Sequence, residues 1–168
     1  MEDDPGEKTE GNIIKGFEAQ ARIMNKAIER MVADRGIRDG ESMVFEYLHF
    51  LPSQYDKEVL SYPSVIPIVL RLNSEKIHKD RINMRDRRTH LKGDSLRLLG
   101  ALSAYRIMQD YQCEDARKHN IPVIATDNWE DAVDKVFTII SGRIKQLIDT
   151  SEIKEPDRIV KLRKERKS

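Results

Sequence analysis

The stretch Met43-Val-Phe-Glu-Tyr-Leu-His-Phe-Leu-Pro52 decides the fold class. It is apolar except at Glu46 and His49, follows the breakers Gly36 and Gly40, and is stopped by Pro52, so it reads as a buried strand. A buried strand needs neighbours, and two other segments qualify. Val65-Ile-Pro-Ile-Val-Leu-Arg-Leu72 is β-branched, with Pro67 confined to the strand's start or to an edge because proline has no N–H to give a ladder. Ile121-Pro-Val-Ile-Ala125 is a third, shorter strand after the turn at His119-Asn120.

Amphipathic helices separate these strands. Phe17, Ala21, Met24, Ile28 and Met31 recur at the spacing of one buried helical face, which predicts a helix from Gly16 to about Asp34. Leu98, Leu102, Tyr105, Met108 and Tyr111 place a second helix over Leu96 to Lys118. A third carries Val133, Val136, Phe137, Ile140, Ile144, Leu147 and Ile148, with Asp127 and Glu130 standing before it as a capping box. Strands alternating with helices that return the chain to the same end predict an α/β domain, a mostly parallel sheet in three layers. The expected boundaries are an acidic polar leader at 1–10, the α/β domain at 11–150 and a basic tail at 151–168.

The 168 residues, 39% hydrophobic and 35% charged, suffice for one core. Net charge is +1, unlike that of a chain that coats nucleic acid, although basic residues gather between Lys76 and Lys92 and in the tail. No run approaches the ~20 apolar residues that span a bilayer, and the leader lacks the features of a signal peptide. The sequence therefore reads as soluble and cytoplasmic. Met1 and the polar leader read as a native start. The single cysteine, Cys113, forms no internal disulfide, and no Cys/His spacing suggests zinc.

Six positions are candidates for chemistry, two in the apolar run and four on one later helix. Glu46 interrupts an apolar run, where a lone buried carboxylate costs several kcal/mol unless a partner or metal compensates. A structural ion pair and a functional site both fit that demand. His49 falls on the opposite face of the expected strand, near its carboxyl end, where open α/β sheets bind ligands. The alternative is a packed, hydrogen-bonded histidine. Between Ser74 and Arg88 the pattern is helical but its large apolar residues are only Ile77, Ile82 and Met84, which predicts an exposed or movable flap. Along it His78, Arg81, Arg85 and Arg88 fall at i, i+3, i+7 and i+10, a basic stripe on one face. Arginine forks suit phosphate oxygens. The competing reading is a solvated helix face that includes Asp80 and Asp86.

Taken in order, Gly16-Phe-Glu-Ala-Gln-Ala21, Glu46-Tyr-Leu-His-Phe-Leu-Pro52, His78-Lys-Asp-Arg-Ile-Asn-Met-Arg85 and Ile121-Pro-Val-Ile-Ala125 resemble the C-terminal portion of P-loop kinases of the archaeal 2-phosphoglycerate kinase type. The resemblance runs from about Gly11 to Leu147. It implies ATP and magnesium as cofactors, Glu46 at a Walker-B-like position near the metal, Arg81 and Arg85 as lid residues reaching nucleotide or transferred phosphate, and His49, His78 and Arg88 around the phosphorylated substrate. Two departures stand out. Tyr47 replaces the glycine expected after Glu46, and Gly-x-x-x-x-Gly-Lys-[Ser/Thr] occurs nowhere in the chain. That loop cradles the β- and γ-phosphates. In kinases of this kind it follows a central strand lying between the counterparts of Met43–Leu51 and Val65–Leu72.

Two function classes follow: a phosphotransferase of small phosphorylated acids that is inactive alone without its phosphate loop, and a non-catalytic ligand-binding or regulatory relative. Nucleic-acid binding through the basic helix and tail ranks third, since no aromatic stacking run accompanies either. A missing central strand also predicts a homo-oligomer or a partner chain that fills the gap.

Overall fold

The computed structural model describes residues 7–88 and 94–149, with side chains at 7–85 and 95–147. Helix α1 (Glu10–Met31) starts where Thr9 Oγ1 accepts the Asn12 N–H at 3.2 Å. Its buried line is Phe17, Ala21 and Asn25, successive i+4 positions. Met24 and Met31, expected on the buried face, are exposed, because the face turns to take in Asn25, whose amide donates to Gln54 Oε1 at 3.0 Å. The helix runs on as a π-helical segment, Val32–Arg38, ending near Gly40, which takes the left-handed φ of +71° that glycine adopts without strain.

The expected strand Met43–Leu51 does not form. Residues 41–47 have no regular secondary structure and Leu48-His49 make a turn. Period-2 alternation survives nevertheless: Met43, Phe45 and Tyr47 are partly buried, while Val44, Glu46 and Leu48 are exposed. Strand status requires a ladder partner, and among the described residues none lies beside this segment. Pro52–Gln54 is a 3-10 turn and α2 (Lys57–Leu60) a single turn capped by Asp56.

The second and third expected strands shorten to β1 (Val69–Arg71) and β2 (Val123–Ala125), which pair parallel in the register Val69↔Val123, Leu70↔Ile124, Arg71↔Ala125. Pro67 and Pro122 lie just before them, where a missing N–H is tolerated. The described sheet has two strands rather than three, so helices and a small parallel sheet are what the α/β expectation retains. The long central helix is broken: α4 (Asp94–Gly100) ends at Gly100 and α5 (Leu102–Lys118) restarts after Ala101. Helix α3 (Glu75–Arg88) and helix α6 (Trp129–Asp149) complete the order. Asn128 Oδ1, accepting from Glu130 N at 3.0 Å, caps α6 in place of the expected Asp127.

Helix α5 organises the core. Its Cys113 and Ala116 pack with Phe50, Tyr55 and Val69, while Met108 and Tyr111 cover Phe17, Ala21 and Leu51. Burial pushes the Cys113 thiol above its usual range. Cys113 is fully buried, so its reaction with an aromatic disulfide reagent should be at least ~100-fold slower in the native chain than in urea, tracking local opening; fast native labelling would contradict this packing. No described helix is long and apolar enough to cross a membrane.

Candidate functional site

On the edge away from β2, the carboxyl end of β1 is held without a neighbouring strand. Gln109 of α5 accepts the Leu72 N–H at 2.8 Å and donates to the Leu72 carbonyl at 3.0 Å, a side-chain amide standing where a ladder would be. Arg106 donates to the carbonyls of Leu72 and Asn73 at 3.2 and 2.9 Å. Beyond β2, Asp127 turns back to the start of α3 and accepts the N–H groups of Ser74 at 2.7 Å and Asn73 at 3.1 Å. Those backbone donors hold the Asp127 carboxyl below the usual carboxylate range. This is why Asp127 is unavailable to α6.

Arg81 then ties α3 to β2: Nη1 donates to Thr126 Oγ1 at 3.3 Å and Nη2 to the Thr126 carbonyl. Thr126, itself buried, donates to the Arg71 carbonyl at 3.0 Å. The result is a cleft of about 400 Å³ at the carboxyl ends of both strands, lined on one side by Arg71, His78, Arg81 and Arg85. Phe17, Leu48, Leu70 and Trp129 are among the apolar residues lining it. Apolar walls strengthen any charge interaction made there.

Two polar atoms in this lining lack hydrogen-bond partners among the described residues although they are buried: His78 Nδ1 and Arg71 Nε. Buried donors and acceptors without partners are rare in folded proteins; Asn25 Oδ1, away from the cleft, is a third such atom. Burial lowers the His78 pKa, and the neighbouring Arg106 and Arg81 cations lower it further. The unfolded imidazole takes its proton near its ordinary value of about 6.5 while the folded one resists, so His78 reduces stability as pH falls below that value. A bound anion reverses the preference by favouring imidazolium. Affinity for sulfate, whose charge is constant here, should therefore rise between about pH 7.5 and 5.5, and His78→Gln should flatten that profile; an unchanged profile would remove His78 from the site.

The structure brings together His78, Arg81 and Arg85 and leaves Glu46 and His49 out of the cleft lining. Glu46, expected to be buried, is exposed and does not line the cleft, because its segment has no sheet to sit in. His49 is the packed kind of histidine: it stacks on Phe17 with centroids 5.4 Å apart and shares a 2.9 Å hydrogen bond with Gln20. The Arg88 side chain and the 151–168 tail lie outside what the structure describes. Tyr47 packs edge-on to Phe50 and its hydroxyl meets that of Tyr55, with both phenols pushed upward mainly by burial, Tyr55 to about 12. Tyr47 thus packs, partly buried, against the core cluster of Phe50 and Tyr55. Arg71, Arg106, Gln109 and Thr126 escaped the sequence reading; an arginine or a threonine at the carboxyl end of an apolar strand was the available signal.

The chain is 33% identical to a 2-phosphoglycerate kinase of Methanopyrus kandleri across 82% of its own length and 42% of that protein. It is 31% identical to the Methanocaldococcus jannaschii 2-phosphoglycerate kinase across 94% of its length and 48% of that protein. Mevalonate-3-phosphate 5-kinase of Thermoplasma acidophilum is 31% identical across 74% of this chain and 60% of that protein. The chain thus spans about half the length of the curated relatives it matches. No family model and no solved structure matches.

Proposed function

From the premise that this chain resembles archaeal 2-phosphoglycerate kinases over most of its own length, we propose that its cleft binds the phosphate of a small phosphorylated acid or of ATP, as one part of a phosphotransferase whose three-layer α/β fold is completed elsewhere. The observation that carries this reading is the convergence of His78, with its orphaned Nδ1, on Arg71, Arg81 and Arg85 at the carboxyl ends of two parallel strands. The relatives' names both denote kinases of acids that already bear a phosphate. Guanidinium forks and an imidazole N–H match such a dianion.

The residues fit the anion but not the whole catalyst. Among the described residues no acidic side chain lines the cleft, and no group of three or more His, Cys, Asp or Glu is placed to hold a metal ion. The donor set therefore does not fit magnesium, and no step is assigned to it. The chain also has no Gly-x-x-x-x-Gly-Lys-[Ser/Thr], the loop whose amides and lysine neutralise a transferring phosphoryl group. These residues bind and orient an anion; they do not by themselves move a phosphoryl group. Ligand binding without transfer is the second reading, favoured by Glu46 standing exposed outside the cleft.

Calorimetric titration with ATP and magnesium, and separately with 2-phosphoglycerate, tests the proposal. Saturable binding is expected, with no product formed by the chain alone, and Arg85→Ala should weaken it by up to about fivefold, as fits an exposed cation. Absence of binding to either ligand up to millimolar concentration would overturn it.

A further inference from the structure

Anion binding accounts for only one wall of the cleft. Its cations come from α3 and the end of β1, whereas most of its apolar side chains come from elsewhere: Phe17 from α1, Leu48 from the turn at 48–49, Met108 from α5 and Trp129 from the start of α6. Leu48, Leu70 and Trp129 are 56%, 51% and 64% exposed. Large apolar side chains exposed singly are ordinary, but these three, from separate elements, line one concavity where a single ligand can cover them together.

The neutral polar side chains among them are engaged within the chain. Gln109 uses its amide oxygen and nitrogen on Leu72, Gln112 donates to the carbonyls of Leu48 and Phe50, and Thr126 donates to the Arg71 carbonyl while accepting from Arg81. A hydroxyl-rich body placed there would give up water for a wall that returns few hydrogen bonds, at a cost for each group left unpaired. A hydrocarbon body has no such cost and gains roughly fourfold in affinity for each methylene it buries. The size agrees, since about 400 Å³ suits a whole small molecule rather than a phosphate alone. We infer that the cleft selects a phosphate monoester with a hydrocarbon body. The phosphate is held by Arg71, His78, Arg81 and Arg85, and the body lies against Leu48, Leu70, Met108 and Trp129. This rests on the anion reading and narrows it: a hydroxy acid such as 2-phosphoglycerate is held through its phosphate, without the gain from the apolar wall.

Calorimetric titration of the full chain at one pH with inorganic phosphate and with methyl, butyl and hexyl phosphate tests this. Affinity should climb along the series by about twofold to fourfold per methylene. Hexyl phosphate should shift the emission of Trp129, the single tryptophan, to the blue, and 2-phosphoglycerate should bind no tighter than the butyl ester. Leu70→Asn should cost hexyl phosphate at least about fivefold more affinity than it costs inorganic phosphate, a split that loss of folding does not produce. Arg85→Ala should instead weaken every ester by a similar factor. Binding of inorganic phosphate with a flat ester series, or an equal loss along the series in Leu70→Asn, would overturn the inference and leave the anion reading standing. No binding of any of the four would overturn both. Tighter binding of AMP or 2-phosphoglycerate than of hexyl phosphate would overturn the inference in favour of a nucleotide or a hydroxy acid.

Discussion

Arg81→Gln should lower the affinity of the cleft for 2-phosphoglycerate or sulfate by about tenfold to a hundredfold, the largest binding loss of any single change along α3. A charge-assisted hydrogen bond contributes roughly 1.5–3 kcal/mol, and each 1.4 kcal/mol is tenfold. Arg81 reaches that range, where exposed Arg85 does not, because two hydrogen bonds to Thr126 fix its guanidinium before ligand arrives. Less side-chain entropy is then lost on binding. The substitution also loosens α3 from β2, so thermal melting must be measured alongside calorimetry. Arg81→Lys separates the two roles: it keeps the charge, loses the fork, and should fall between wild type and Arg81→Gln. Unchanged affinity in the folded Arg81→Gln protein would remove the central cation of the proposed site.

Gln112→Leu should be the most damaging substitution to stability, at about 2–4 kcal/mol, despite exchanging one side chain for another of similar size. Gln112 is buried in α5, and its amide donates to the carbonyls of Phe50 at 2.8 Å and Leu48 at 3.0 Å. Leucine leaves both acceptors without a donor, and each buried, unsatisfied group costs roughly 1–3 kcal/mol. The Leu48 carbonyl lies nearer the surface, so the sum stays below twice the maximum. The consequence reaches function, because the 48–51 segment anchors Leu48 at the cleft and Leu51 in the core. Urea unfolding reads the effect; a midpoint within experimental error of wild type would show that water replaces the amide.

Helices and site residues differed in how far they could be read. The periodicity over Phe17 and Ala21, over Leu102 to Tyr111 and over Val133 to Leu147 gave α1, α5 and α6, since a helix makes its hydrogen bonds within its own segment. Strand pattern was equally visible at Met43–Leu51, but a strand is completed only by a neighbour, and there the pattern outran the structure. Caps were ambiguous for a similar reason: Asp127 and Asn128 are adjacent and both suited to the start of α6, and the position of Asn73 and Ser74 in space assigned Asp127 to α3. Of the candidate site residues, His78, Arg81 and Arg85 share one helix, so spacing alone grouped them. Glu46 and His49 were placed by an assumed strand and fell outside the cleft with it.

By itself, then, the sequence determined the helices, the parallel pairing expected of strands separated by them, the basic face of α3 and the absence of a phosphate loop, all properties carried by local spacing. Tertiary structure decided which segments became strands, which side chain capped which helix, and how Arg106, Gln109 and Thr126 reach the end of β1 and α3 from distant parts of the chain. Those outcomes depend on partners brought together by folding, and the free edge of β1 shows the same dependence where no partner is present among the described residues.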